Sequence, residues 1–254
     1  MAAIGAAKQH ILVTRAFPAS RSRPAARPSG HFWIGAVGIL ALCAGCGESA
    51  SAGTSHVGGP GQDAVGVDAA AANVGVFAAE VVSKKLGEGS GWGTDELPDI
   101  VLGAPRGGGE NKGGLHVLSL GKGGEIVLRL RVAVIDGPGP DLIVFENPFV
   151  GWVETGRVAV SDDLKTWHTF PCACDDKAGG YPGCAGVSAV LSNADNGIDP
   201  SDPKKAGGDA FDLADLGVAT ARYVKVTDTG KNEYDGKTGG FDLDAISVVH
   251  ASPN

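Results

Sequence analysis

The 254-residue chain is short of positive charge: 21 Lys and Arg stand against 29 Asp and Glu, a formal net charge of −8. Nucleic-acid binding needs clustered basic side chains to neutralise phosphates, so that class of partner is excluded. A long hydrophobic run is also lacking. The apolar stretch Phe32–Leu42 falls short of the roughly 20 residues a transmembrane helix needs. Several catalytic and ligand signatures are absent as well. There is no Gly-x-Ser-x-Gly elbow, no His-Glu-x-x-His pair and no EF-hand loop. Gly230-Lys-Asn-Glu-Tyr-Asp-Gly-Lys-Thr238 places five residues between its glycines, where a phosphate-binding P-loop requires four. The expectation is a protein that is not an enzyme; a hydrolase of the cell envelope is the most remote reading.

What the chain does have is backbone punctuation. Its 41 Gly and 14 Pro suit short strands joined by many turns rather than long helices. It also has a divided charge. Residues 1–45 carry Lys8, Arg15, Arg21, Arg23 and Arg27 and no acid. A basic segment, the apolar run 32–42 and the small residues up to Cys46 are the parts of a secretory signal. Leu42-Cys43-Ala44-Gly45-Cys46 resembles a bacterial lipobox, with Cys43 standing where Leu is usual. That resemblance makes Cys46 the lipid-modified N-terminus. Gly47, rather than Asp, follows it, which resembles the sorting pattern of outer-membrane lipoproteins. The expected location is therefore exported, at the outer membrane or cell surface, with the membrane as partner through the acyl anchor. Cleavage would remove five of the 21 basic residues and none of the 29 acidic ones, taking the net charge from −8 to about −13.

Residues 46–74 are small, polar and unpatterned, a flexible tether of the Gly/Ala/Ser kind. From about residue 75 to 254 the apolar residues become periodic, predicting one domain. In Glu125–Val134 one face carries Ile126, Leu128, Leu130, Val132 and Val134 and the other Arg129 and Arg131, the period of a half-buried antiparallel strand. Leu142–Phe145 is apolar on both faces, as a central strand would be. Further strands are expected at 115–120, 157–161, 167–170, 187–191, 222–227 and 245–250, with one helical turn near 211–217. Trp167 and Phe145 are assigned to the core. Eight or so short strands separated by turns predict an all-β, antiparallel sandwich.

Six segments then carry a resemblance as a set: Asp99–Gly109, Asp136–Asn147, Val160–Trp167, Gly207–Asp215, Ala221–Val226 and Gly240–Ala245. Together they resemble a family of bacterial secreted cell-surface proteins, often lipoproteins. The pieces Ser-Asp-Asp…Trp and Ala-Arg-Tyr-Val-Lys-Val separately resemble discoidin-like domains of the galactose-binding-like superfamily. The resemblance implies a jelly-roll β-sandwich, a structural calcium and a ligand site in loops at one end.

Carboxylates crowd the loops, and calcium takes six to eight hard oxygens. The candidate ligands are Asp141, Glu146, Asp209, Asp212 and Asp244. Of Asp242 and Asp244, only one is expected to line a given site. Trp92, Trp152 and Tyr181 lie in loops and are the candidates for stacking on a carbohydrate or contacting a protein partner at the surface. With Cys46 lipidated and Cys43 removed, Cys172, Cys174 and Cys184 remain. In an exported protein two of these pair, and Cys184 bonds either Cys172 or Cys174. The family-like frame Phe-Pro-Cys…Gly-Cys-Ala-Gly implies Cys172–Cys184. The functional expectation is a lipid-anchored binding module; the alternative is a structural or adhesive envelope component without a small-ligand site.

Overall fold

A computed structural model describes residues 76–231 and 239–253; the expected signal segment 1–45, lipid site Cys46 and tether 46–74 lie outside the described residues. The described chain is all-β and antiparallel, with three short 3-10 turns and no α-helix. Its strands are β1 (Ala78–Lys85), β2 (Leu118–Ser119), β3 (Glu125–Ile135), β4 (Leu142–Phe145) and β5 (Gly156–Ser161). They continue with β6 (His168–Thr169), β7 (Asp209–Phe211), β8 (Thr220–Asp228), β9 (Asp242–Leu243) and β10 (Ala245–Val248). A five-stranded sheet has the order β1-β3-β8-β5-β6, a three-stranded sheet β10-β4-β7, and β2 pairs with β9.

The alternation in β3 creates the main packing surface. Ile126, Leu128, Leu130 and Val134 are buried, Val132 is partly covered, and Arg131 is exposed. Arg129 lies outward and pairs with Glu80 of β1 at 2.7 Å. The buried face meets Val158 of β5 and Val224 and Val226 of β8, and against these pack Leu142 and Val144 of β4 and Ile246 and Val248 of β10. This is the two-layer logic of a β-sandwich. Val127 departs from strict alternation: it too is buried.

β4 is buried on both faces, as its unbroken apolar run requires. Leu142 and Val144 enter the main core. Ile143 and Phe145 form a second cluster with Val190, Ala206 and Ala245. The segment expected as a strand at 187–191 makes only an isolated bridge, Val190 to Gly207. It covers the outer face of β4 instead of extending a sheet.

Trp167 departs from the core assignment: it is half-exposed and the Lys225 ammonium sits 4.5 Å from its ring centroid. The amphipathic lysine stem and cation–π contact give the ring a partner at the surface. The turn near 211–217 forms as Leu213–Leu216, with the Asp212 side chain accepting from Ala214 N–H and Gly217 ending it at φ 63°. Cys172 and Cys184 form a disulfide. Cys174 is a buried free thiol that accepts from the Arg157 guanidinium at 3.2 Å.

Candidate functional site

Three carboxylates meet where β4, the loop following it, and β9 come together. Glu146 follows directly on β4, Glu154 precedes β5, and Asp242 opens β9. One oxygen from each lies within 4.8 Å of the others. Glu146 and Glu154 are each only 1% exposed, and Asp242 is partly buried.

The backbone builds this convergence. β9 pairs with β2 so that Ser119 faces Asp242, and Asp242 N–H donates to Glu146 Oε1 at 3.2 Å. Gly240 N–H donates to Glu154 Oε1 at 3.0 Å. The Trp152 side chain hydrogen-bonds the Glu154 carboxylate. Asn147 Nδ2 donates to Gly114 O at 2.8 Å, which fastens the start of the loop.

The electrostatics are those of acids held away from water. Burial, then the negative charges of Asp242 and Glu154, push Glu146 well above the ordinary carboxylate range. Burial raises Glu154 to about 7, against the Gly240 hydrogen bond. Burial raises Asp242 to about 6, opposed by the Ser119 and Asn147 side chains. Desolvation disfavours a charged carboxylate, and like charges add to it. Such a group is stabilised by protonation or by a bound cation.

The five acids expected as metal ligands are distributed over separate places. Only Glu146 belongs to this trio. Asp141 is fully buried, and its Oδ1 accepts from Gly137 N–H and lies 2.7 Å from His250 Nδ1, while Oδ2 accepts from Leu213 N–H. Asp212, which caps the turn 213–216, lies in a second acidic group with Asp136 and Asp141. Asp209 accepts from the N–H groups of Gly186, Val187 and Ser188, and burial nonetheless raises it to about 6. Asp244 accepts from Arg106 N–H at 2.8 Å, and burial raises it to about 7. Asp242 thus joins Glu146, whereas Asp244 goes to Arg106. In an unbroken strand residues two apart share a face; the interruption at Asp244, between β9 and β10, is where the chain leaves that pattern.

The three aromatic candidates also separate. Trp152 stacks on Phe149, with centroids 6.0 Å apart and planes 7° from parallel, across a two-residue turn. Val150 at that turn is 79% exposed. Trp92 is 47% exposed, and its indole N–H donates to Leu115 O at 2.8 Å. Tyr181 sits at φ 55° within the loop closed by the disulfide. Only Trp152 is tied to the carboxylate trio. Glu154 is absent from the sequence candidates, standing alone in Trp-Val-Glu-Thr-Gly, where no local pattern marks it; of Asp242 and Asp244, Asp242 is the one that meets Glu146. No protein-family model, curated protein or solved structure matches the chain.

Proposed function

We propose that the protein is an exported, lipid-anchored cell-surface protein whose β-sandwich domain is a binding module for carbohydrate or a surface partner. The reading includes jelly-roll connectivity of the galactose-binding-like kind and anchoring through Cys46. One observation carries it: the 146–155 loop presents the stacked Phe149–Trp152 pair directly beside buried carboxylates, with Trp152 hydrogen-bonded to Glu154. A flat aromatic face next to polar groups is the combination that stacks on a sugar ring and fixes its hydroxyls. The exposed Val150 at the tip extends the apolar contact surface.

The second reading, a structural or adhesive component of the envelope, draws support from the dispersal of Trp92 and Tyr181 to other loops. A glycan array followed by calorimetry on the full-length chain separates the two. Binding that Trp152→Ala weakens at least about tenfold supports the module, in line with the ~1.4 kcal/mol that such a factor represents. Absence of any glycan binding removes the carbohydrate form of the proposal. For the anchor, Cys46→Ala abolishes uptake of labelled palmitate; a variant that still incorporates it and remains in the membrane fraction contradicts the lipid site.

A further inference from the structure

The acidic trio at the base of the aromatic loop has an unfinished hydrogen-bonding pattern. Glu146 is 1% exposed, and its Oε1 is satisfied by Asp242 N–H, but its Oε2 is buried and accepts from nothing. Asp242 Oδ1 is likewise buried without a donor. The large majority of buried side-chain polar atoms have a hydrogen-bond partner, so an orphaned oxygen on a buried carboxylate that itself reaches within 4.8 Å of two other acids indicates a missing positive partner. The second acidic group, Asp136 with Asp141 and Asp212, shows the contrast. There both Asp141 oxygens already hold donors and Asp212 caps a turn.

From this convergence we infer that Glu146, Glu154 and Asp242 bind one hard divalent cation, calcium by preference, which ties the two ends of the 146–155 loop to β9. The chemistry of the group selects the ion. Its three ligands are all carboxylates, with no imidazole or thiolate among them, which disfavours zinc and copper and suits calcium, magnesium or manganese. Calcium accepts irregular arrays of six to eight oxygens, whereas magnesium demands a near-ideal octahedron and keeps its waters. Three carboxylates brought together from the two ends of one loop and from β9 suit the more permissive of these two ions. The remaining oxygens would come from water and from backbone.

The cation would act on the loop rather than on any chemistry. Glu146 and Glu154 bracket the segment whose tip carries Phe149 and Trp152, so neutralising both from one point fixes the base from which the aromatic pair projects. This deepens the proposed binding role by naming what would order its contact loop. It draws on that reading only for the loop's purpose; the cation site itself stands or falls separately.

The test is a calorimetric and thermal-melting titration of the full-length chain, purified with a chelator and then freed of it, against calcium chloride and magnesium chloride separately. One calcium site is expected, with a dissociation constant on the order of 10⁻⁴ M, as in extracellular modules. Saturation raises the melting midpoint by about 5 °C or more, and magnesium binds at least about tenfold more weakly. Glu146→Gln and Asp242→Asn, isosteric changes with wild-type circular dichroism, each weaken calcium binding at least about tenfold and abolish the shift. Should one variant fail to fold, the other and the wild-type titration decide. Neither heat nor a shift with calcium overturns the site; a calcium response that survives in both variants places the ion elsewhere and overturns it equally. Magnesium binding as tightly as calcium overturns the choice of ion. A negative glycan array leaves these results untouched, so the two proposals fail by different experiments.

Discussion

Gly240 holds φ +142° in a position where a Cβ would meet the Gly121 backbone at 2.7–2.9 Å. Its N–H also positions Glu154. Both the dihedral and the close approach require glycine. Gly240→Ala therefore costs about 2–4 kcal/mol of stability by chemical denaturation; a loss under about 0.5 kcal/mol contradicts the close approach. The disulfide at Cys172–Cys184 closes a loop with a sequence separation of 12. Replacing both cysteines by serine lowers stability by about 2–4 kcal/mol, and an unchanged denaturation midpoint contradicts its structural role. At this scale the sequence is readable only in part. That one cysteine pairs with Cys184 followed from counting, and Cys172 from a family-like frame. Glu154 gave no sign, and nothing in Asp242-Leu-Asp244 told which of its acids meets Glu146, because a carboxylate becomes a site residue through what approaches it from distant segments: Glu146 and Asp242 are 96 residues apart.

Among the elements, β4 bears the most on the architecture, since its two faces serve two clusters. Phe145, fully buried in the smaller one, also supplies the carbonyl that accepts from Asp244 N–H and leads directly into Glu146. Phe145→Ala costs about 3–5 kcal/mol; a cost under about 1 kcal/mol would show that the 190–206 cover collapses readily onto the space. Long strands were legible because periodicity accumulates over their length. The alternation of Ile126, Leu128, Leu130 and Val134 identified β3, and the unbroken Leu142–Phe145 run identified a central strand. β7 and β9, of three and two residues, are too short to show a period and exist through their pairing with β4 and β2. Trp167 alternates with strand neighbours yet lies at the surface, because β6 is the edge of its sheet and Lys225 covers the ring.

The molecule as a whole collects buried acids. Burial raises Asp209 and Asp242 to about 6 and Glu154 and Asp244 to about 7, above the ordinary values near 4 of an unfolded chain. Between about pH 4 and 7 the folded protein holds protons that the unfolded chain has released. Linkage then makes stability greatest below the unfolded pKa values and reduces it as pH rises through 6 and 7. In chelator, melting is expected at higher temperature at pH 5 than at pH 8, and calcium at pH 8 restores part of the difference. A midpoint that rises from pH 5 to 8 in chelator contradicts the burial of these carboxylates. The overall acidity was plain from composition; its inward-facing share was not, since composition does not distinguish a solvated aspartate from a buried one. A cation held among Glu146, Glu154 and Asp242 beneath the aromatic loop would lie close to an indole. Terbium is a calcium-like ion that luminesces when excited through a nearby indole, and Trp152 is bonded to Glu154. Terbium added to the full-length chain is predicted to give tryptophan-sensitised emission that calcium displaces and that Trp152→Phe largely removes. Emission undiminished in Trp152→Phe, or no sensitised emission from the wild-type chain, contradicts a cation at this site.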